Sequence, residues 1–415
     1  MRLLYSCLLY LITPLVLLRL WWKGFDLPAY RCRWGERFGF VEAPSQPVEA
    51  WVHAVSVGES LAALPLIRAL VARHGEGRVL VTTMTPTGSQ RVSEALGPQV
   101  LHTYLPYDLP DVVARYIERM RPRRVVVMET ELWPNLFRAL ARRRIPLLVA
   151  NARLSPRSFR GYGRVRGFAG SVLSDCTEVA AQSDADAERF RQLGAPRVST
   201  MGNIKFDLAV PEAQLALGER LRSALAGRPA WIAASTHEGE EEAALAAHRA
   251  LRGQIPEAVL ILVPRHPQRF DAVAKLVAKQ GYGCIRRSAW NGEAITVEVL
   301  LGDSMGEMFA YFAAADVAFV GGSLVPVGGH NVLEPAALGL PVLFGPQMHN
   351  FIAARDLLLD EHAAEQVIDA GQLVDALARL LCDDVLRGTM GEAGRHAVAA
   401  NRGALQKLLA LLDRA

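Results

Sequence analysis

The 415-residue chain is poor in cysteine, and Cys7, Cys32, Cys176, Cys284 and Cys382 are scattered with no C-x-x-C pair. That excludes a disulfide framework and a finger-type zinc cluster, and it suits a reducing compartment. Charge of one sign is not in excess either. Lysine plus arginine number 46 against 42 aspartate plus glutamate, a formal net charge of +4, too mild for a nucleic-acid binder. The hydrophobic share of 51% excludes wholesale disorder. Two nucleotide signatures are missing: no G-x-x-x-x-G-K-[ST] occurs, and no G-x-G-x-x-G follows the first strand, which argues against ATPase and NAD chemistry. The string H-E-G-E-E from His237 lacks the second histidine of H-E-x-x-H, so no metal is expected there.

What the chain does have is a long apolar start. Leu3 to Leu18 carries no charge, and continuing to Trp22 gives 20 mostly apolar residues, about one bilayer core at ~1.5 Å per helical residue. Arg19 sits near one end, where it can snorkel, and Trp21 and Trp22 are interface residues. Lys23, Arg31, Arg33 and Arg37 follow against Asp26 and Glu36, so the positive-inside rule puts the bulk of the chain in the cytoplasm. No small-x-small site follows Trp22, which favours a retained anchor, spanning or lying shallowly, over a cleaved signal peptide.

The length suggests two domains. From Ala50 onward AWVHAV, RVLVTTM, VLHTYLPY, RVVVMET and PLLVANA alternate with helical stretches, and after Pro211 a second series follows: AWIAAST, AVLILVP, AITVEVLL, VAFVGGS and PVLFGP. This punctuation predicts two doubly wound α/β units linked near Gly202–Pro211, with ligands bound outside the carboxyl ends of the strands.

Residues just after the strands are therefore the candidates. Ser56, Gly58 and Glu59 stand at the first strand-to-helix turn, where Glu59 either stabilises the helix start or faces the cleft. Glu129 and Glu131 follow an apolar strand, and one of them can cap a helix. In the second series Arg265 and His266 can grip a phosphate or carboxylate. Gly302, Ser304 and Gly306 open another helix. Gly321 and Gly322 allow close backbone approach to a phosphate, and Gly328 and Gly329 lead to His330, Asn331 and Glu334, a glutamate placed to bind ribose hydroxyls. Arginine is dense at Arg119, Arg121, Arg123, Arg124, Arg142 to Arg144, Arg153, Arg157, Arg160, Arg164 and Arg166, either a solvated face or an attraction to anionic lipid.

The strings WVHAVSVGES, METELWPN, NARLSPRSFRGY, GNIKFD, ASTHEGEE, LVPRHPQRF, GDSMGEM and GGSLVPVGGHNVLEPAALGLPVLFGP, in that order and with RWGERFGF after the apolar start, closely resemble the 3-deoxy-D-manno-octulosonic acid (Kdo) transferases of lipopolysaccharide synthesis. The resemblance implies a GT-B fold, two Rossmann-like domains facing a cleft behind an N-terminal membrane-anchor helix. Residues 1–23 would be the anchor, 24–207 the acceptor-binding domain, and 208–415 the CMP-Kdo-binding domain, whose last helix can pack back on the N-terminal one. It implies transfer of Kdo from CMP-Kdo to lipid IVA, with inversion, at the cytoplasmic face of the inner membrane.

By motif, the resemblance implies Glu59 as general base and Glu129, or its neighbour Glu131, with Lys205 near the reacting centre. It implies CMP contacts at Arg265, His266, Met305, Gly306, Glu307, Asn331, Val332, Leu333 and Glu334. No metal or other cofactor is expected, since CMP carries a single phosphate. Anionic lipid is the expected further partner, and nucleic acid is not. The alternatives are another GT-B enzyme using a UDP-sugar, or a non-catalytic membrane-tethered lipid-binding protein.

Overall fold

The computed structural model describes residues 1–414. They form two compact units, Met1–Asp207 joined by the residues from Asn401 onward, and Leu208–Ala400.

The first unit is built on seven parallel strands: β1 (Ala50–His53), β2 (Val79–Thr83), β3 (Leu101–Tyr104), β4 (Val125–Met128), β5 (Leu147–Ala152), β6 (Glu178–Ala181) and β7 (Val198–Thr200), in the order β3-β2-β1-β4-β5-β6-β7. Its central strands are continuous apolar runs because helices cover both faces. Side chains alternate accordingly. Trp51, Leu80, Val125 and Val127 pack with Tyr116 and Phe137 on one face, whereas Val52, Val81 and Val126 pack with Ile67 and Leu408 on the other. Leu408 lies on the C-terminal helix Ala404–Arg414, whose start is tied down by Asp207, the carboxylate accepting from the Gly403 and Leu405 N–H groups. The second unit therefore ends at Ala400, and the last helix packs back on the first unit.

In the second unit β8 (Ala230–Thr236), β9 (Val259–Pro264), β10 (Cys284–Arg286), β11 (Val299–Leu301), β12 (Val317–Val320), β13 (Val342–Phe344) and β14 (Ala364–Gln366) pair in parallel as β10-β11-β9-β8-β12-β13-β14. This pair of seven-stranded sheets is the doubly wound architecture expected of a GT-B protein. Two local differences from the sequence reading stand out. The strand expected over 294–301 forms only at Val299–Leu301, because Ile295 turns into the core against helix Glu212–Ala224, its N–H donating to the Ala224 carbonyl. The Gly202–Pro211 stretch is also not all linker: Ile204 and Phe206 are buried in the first unit, around the short turn Ile204–Phe206.

Strand order reverses between β1 and β4 in the first sheet and between β8 and β12 in the second. Such switch points open a crevice at the strands' carboxyl ends.

Candidate active site

Glu59 enters at the β1 end of the first switch point. Ser56 caps helix Val57–His74, its Oγ accepting from the Glu59 N–H at 3.3 Å and donating to Glu59 Oε1 at 3.0 Å, while the Val55 N–H donates to Oε2 at 2.8 Å. The spacing S-x-x-E is that of a capping box, but here the glutamate reaches back to the Val55 N–H one residue before the cap, so the structural and functional readings of this residue both apply. Burial raises its pKa, opposed by the Val55 N–H, and the Glu129 charge raises it further.

Glu129 enters from β4 with its backbone in the left-handed region at φ 57°, its N–H donating to the Ala150 carbonyl at 2.8 Å. A non-glycine residue held there costs of order 1 kcal/mol or more, and such strain is common where a side chain must be aimed. Lys205 approaches from the turn after β7, with Nζ 3.9 Å from Glu129 Oε1. That turn is fastened by Asn151, fully buried at the end of β5, whose Oδ1 accepts from the Ile204 N–H at 3.1 Å. Glu131 is held up at about 7 by burial and by the Glu59 and Glu129 charges.

The three carboxylates line one cavity of about 230 Å³ together with Thr130, Arg153, Ser155 and Ser158. Arg153, Ser155 and Ser158 belong to the string NARLSPRSFRGY, whose spacing alone gives them no such position. Among the other arginines, Arg119, Arg121 and Arg124 donate to the carbonyls of Val41, Pro44 and Leu412, and Arg123 pairs with Glu49 while staying 64% exposed, so these four help to secure the unit's own segments.

The second unit gathers a different set. The His237 and His330 rings lie parallel with centroids 5.1 Å apart and share a hydrogen bond of 2.8 Å between their Nε2 atoms, and the His266 ring stands edge-on to His237 at 5.2 Å. Burial, then the charge of Arg265, pushes His330 down to about 3, and burial also lowers His237. The His237 and His330 rings are thus neutral near pH 7. Glu334 is raised by burial and opposed by Asn331, whose Nδ2 donates to Oε1 at 3.0 Å, and by Arg265. Arg265, His266, Asn331 and Glu334 therefore converge. Val332 and Leu333 are core residues, 0% and 1% exposed, and offer only backbone. Met305, Gly306 and Glu307 lie beyond β11, with Met305 exposed, Gly306 at φ 79°, and Glu307 paired to Arg287 at 3.0 Å.

One residue here is hidden in the sequence, where the acidic run after His237 looks like ordinary helix capping. Glu240 is 1% exposed, and its carboxylate accepts from four backbone N–H groups: His237 at 3.0 Å, Gly322 at 2.7 Å, and Ser323 and Leu324 at 3.0 Å each. This corrects the role expected of Gly321 and Gly322. The Gly322 N–H is engaged by Glu240 and is not offered to a phosphate, and a Cβ on Gly321 would lie 2.8 Å from the Ser235 carbonyl and 2.9 Å from Glu240 Oε2. The glycines let the loop close onto this carboxylate.

Comparison with known proteins gives a consistent picture. A family profile described as 3-Deoxy-D-manno-octulosonic-acid transferase (kdotransferase) matches residues 32–208. The chain is 42% identical to the 3-deoxy-D-manno-octulosonic acid transferase of Haemophilus influenzae over 99% of this chain and 98% of that one. It is 40% identical to the enzyme of the same name from Bordetella pertussis over 97% and 96%. In fold it is similar to the UDP-GlcNAc 2-epimerase of Neisseria meningitidis, solved bound to UDP-GlcNAc, with a TM-score of 0.57 and 13% identity over 89% of this chain and 100% of that one.

Proposed function

The chain belongs to the 3-deoxy-D-manno-octulosonic acid (Kdo) transferase family, and on that premise we propose that it moves Kdo from CMP-Kdo onto lipid IVA with inversion, at the cytoplasmic face of the inner membrane. The observation that carries this reading is the convergence of Glu59, Glu129 and Glu131 on one cavity at the first sheet's switch point, with Lys205 beside Glu129.

An acceptor glucosamine hydroxyl attacks the anomeric carbon of Kdo as the bond to the CMP phosphate breaks on the opposite face. Glu59, ionised at the outset, takes the hydroxyl proton, just as the base carboxylate of an inverting glycosidase takes a proton from water. Its raised pKa brings it nearer to the proton affinity a base needs. Lys205 offsets the carboxylate charge around the oxocarbenium-like centre. Arg265 and His266 hold the departing phosphate, and Glu334 the ribose hydroxyls, with the Met305–Glu307 stretch and the backbone of Val332 and Leu333 completing the nucleotide site. CMP leaves with one phosphate, so these side chains suffice without a metal. The N-terminal helix Arg2–Asp26 is long and apolar enough to cross a membrane and keeps the enzyme beside its lipid acceptor.

The test is a mass-spectrometric assay of the purified full chain with CMP-Kdo and lipid IVA, with and without a chelator. Product one or more Kdo heavier than the acceptor, formed equally with chelator, is the expected result. CMP binding without product would discard this acceptor. Binding of a UDP-sugar in place of CMP would move the assignment to another GT-B enzyme.

A further inference from the structure

The N-terminal helix is not a free stalk. Its buried and half-buried positions, among them Arg2, Ser6, Leu9, Thr13, Leu20 and Gly24, recur mostly every three or four residues, which is one stripe along the helix. The first three turns of that stripe are fastened to the folded unit by polar side chains. Arg2 pairs with Asp175 at 2.6 Å and donates to the Ser171 carbonyl. The Tyr5 hydroxyl donates to Asp108 at 3.0 Å, the same buried carboxylate that accepts from the Asn135 and Leu136 N–H groups at the start of helix Pro134–Arg142. Ser6 and Asn135 exchange hydrogen bonds, and Tyr10 donates to Asp111.

At its other end the chain returns to the same unit: Arg33 donates to Ser89 Oγ at 2.9 Å and to the His102 carbonyl, and Glu36 accepts from the Tyr104 N–H at 2.8 Å. The start of the helix and the chain seven residues beyond its end are thus both tied to the same unit. A helix of this length is about 37 Å long, enough to cross a hydrocarbon core of about 30 Å. To cross it while keeping these ties, Asp108, Asp111, Asn135 and Asp175 would have to follow it into lipid, at a cost of roughly 2–3 kcal/mol or more for each charged group.

The opposite side of the helix is an exposed apolar stripe, Leu4, Leu8, Leu11, Leu15, Leu18 and Trp22, each between 52% and 74% exposed. Trp21 and Trp22 stand beside Arg19 and Lys23, an arrangement suited to the headgroup level. At the N-terminal end a cavity of about 880 Å³ is lined by Arg2, Arg138, Arg142 and Arg143 together with Leu3 and Phe168. Apolar surface next to clustered cations matches an anionic lipid surface better than a second protein chain.

We infer that this helix lies in the plane of the membrane, with its apolar stripe in one leaflet and both of its ends on the side of the folded units. The inference rests on the reading of the helix as a membrane anchor and deepens it.

The test uses the full chain in bacterial membrane vesicles, with native cysteines replaced except Cys382, which is exposed on the second unit, and one cysteine added ahead of Met1. A membrane-impermeant maleimide is expected to label both thiols in inverted vesicles and neither in right-side-out ones. Labelling of the N-terminal thiol alone in right-side-out vesicles would overturn the in-plane placement while leaving the anchor intact. Protein recovered only in the supernatant would overturn the anchor itself. Spin labels at Leu4→Cys, Leu11→Cys and Leu18→Cys give an independent readout: one common shallow depth supports the inference, and a deep Leu11 between shallow neighbours overturns it. A disulfide-linked dimer through Leu11→Cys would assign the stripe to a second copy and also overturn it.

Discussion

Lys205 Nζ stands 3.9 Å from Glu129 Oε1, joining the turn after β7 to the end of β4. Both side chains are about one-third exposed, 33% and 30%, so the pair adds little to stability, at most about 1 kcal/mol. Its value is positional. Lys205→Ala is expected to leave thermal unfolding almost unchanged and to lower kcat/KM about 100-fold. Steady-state kinetics beside a melting curve checks both. A large fall in melting temperature with only a proportionate loss of turnover would show the lysine to be structural.

Glu59 serves its helix and its cavity at once, and the two roles are separable. In Glu59→Gln the amide oxygen can still accept from the Val55 N–H or from Ser56, so the cost to stability should stay near 1 kcal/mol. Without a base, turnover should fall roughly 10²- to 10⁴-fold. CMP affinity, measured by calorimetry, should not change.

Glu131 carries a pH signature. Its pKa is raised from 4.5 to about 7, so between these values the folded chain binds more protons than the unfolded one, and stability is lost as pH rises through that window. Glu131→Gln removes this loss. The variant should gain roughly 1–2 kcal/mol on the wild type between pH 5 and pH 8, a figure already reduced for solvent screening. Urea unfolding at the two pH values measures it, and parallel curves for both proteins would refute the shift.

Glu240 organises the glycine-rich loop from beneath. Glu240→Ala strands four backbone N–H groups, three of them on the loop Gly322–Leu324, and should cost about 3 kcal/mol or more. CMP binding should weaken with it. Hydrogen exchange should show the loop opening first, and an unchanged loop would mean that its path does not depend on this carboxylate.

Removal of the residues after Ala400 should destabilise the first unit and not the second. Leu408 and Leu412 are 0% and 1% exposed in its core, and burying such a side chain contributes about 1.5–3 kcal/mol. Calorimetric scans with CMP, which stabilises whatever unit binds it, would show the second transition still shifted in the truncated chain.

Much of the fold was legible because central parallel strands are buried on both faces, and runs such as VVVM of β4 and VLILV of β9 announce themselves. The strands EVAA of β6, CIR of β10 and AEQ of β14 did not, since three or four residues with mixed polarity hold no usable period. Glu59, Glu129 and Glu131 were visible for a topological reason: each closely follows an apolar run, where α/β sheets place their ligands. Lys205 came only through the family resemblance, because its turn is shaped by a hydrogen bond to Asn151 on another strand.

By itself the sequence determined the alternation of central strands with helices, the two-unit α/β plan, the apolar N-terminal helix and the carboxylates at the strand ends. These are local matters of hydrophobic period and of residue type next to a strand. Only the tertiary structure decided which acid caps a helix and which closes a loop, which arginines bind their own backbone, that the last helix completes the first core, and that the first turns of the apolar helix are fastened to that unit. Those outcomes depend on groups distant in the chain meeting at hydrogen-bonding distance, and burial then sets their charge states. No spacing along the chain encodes such meetings.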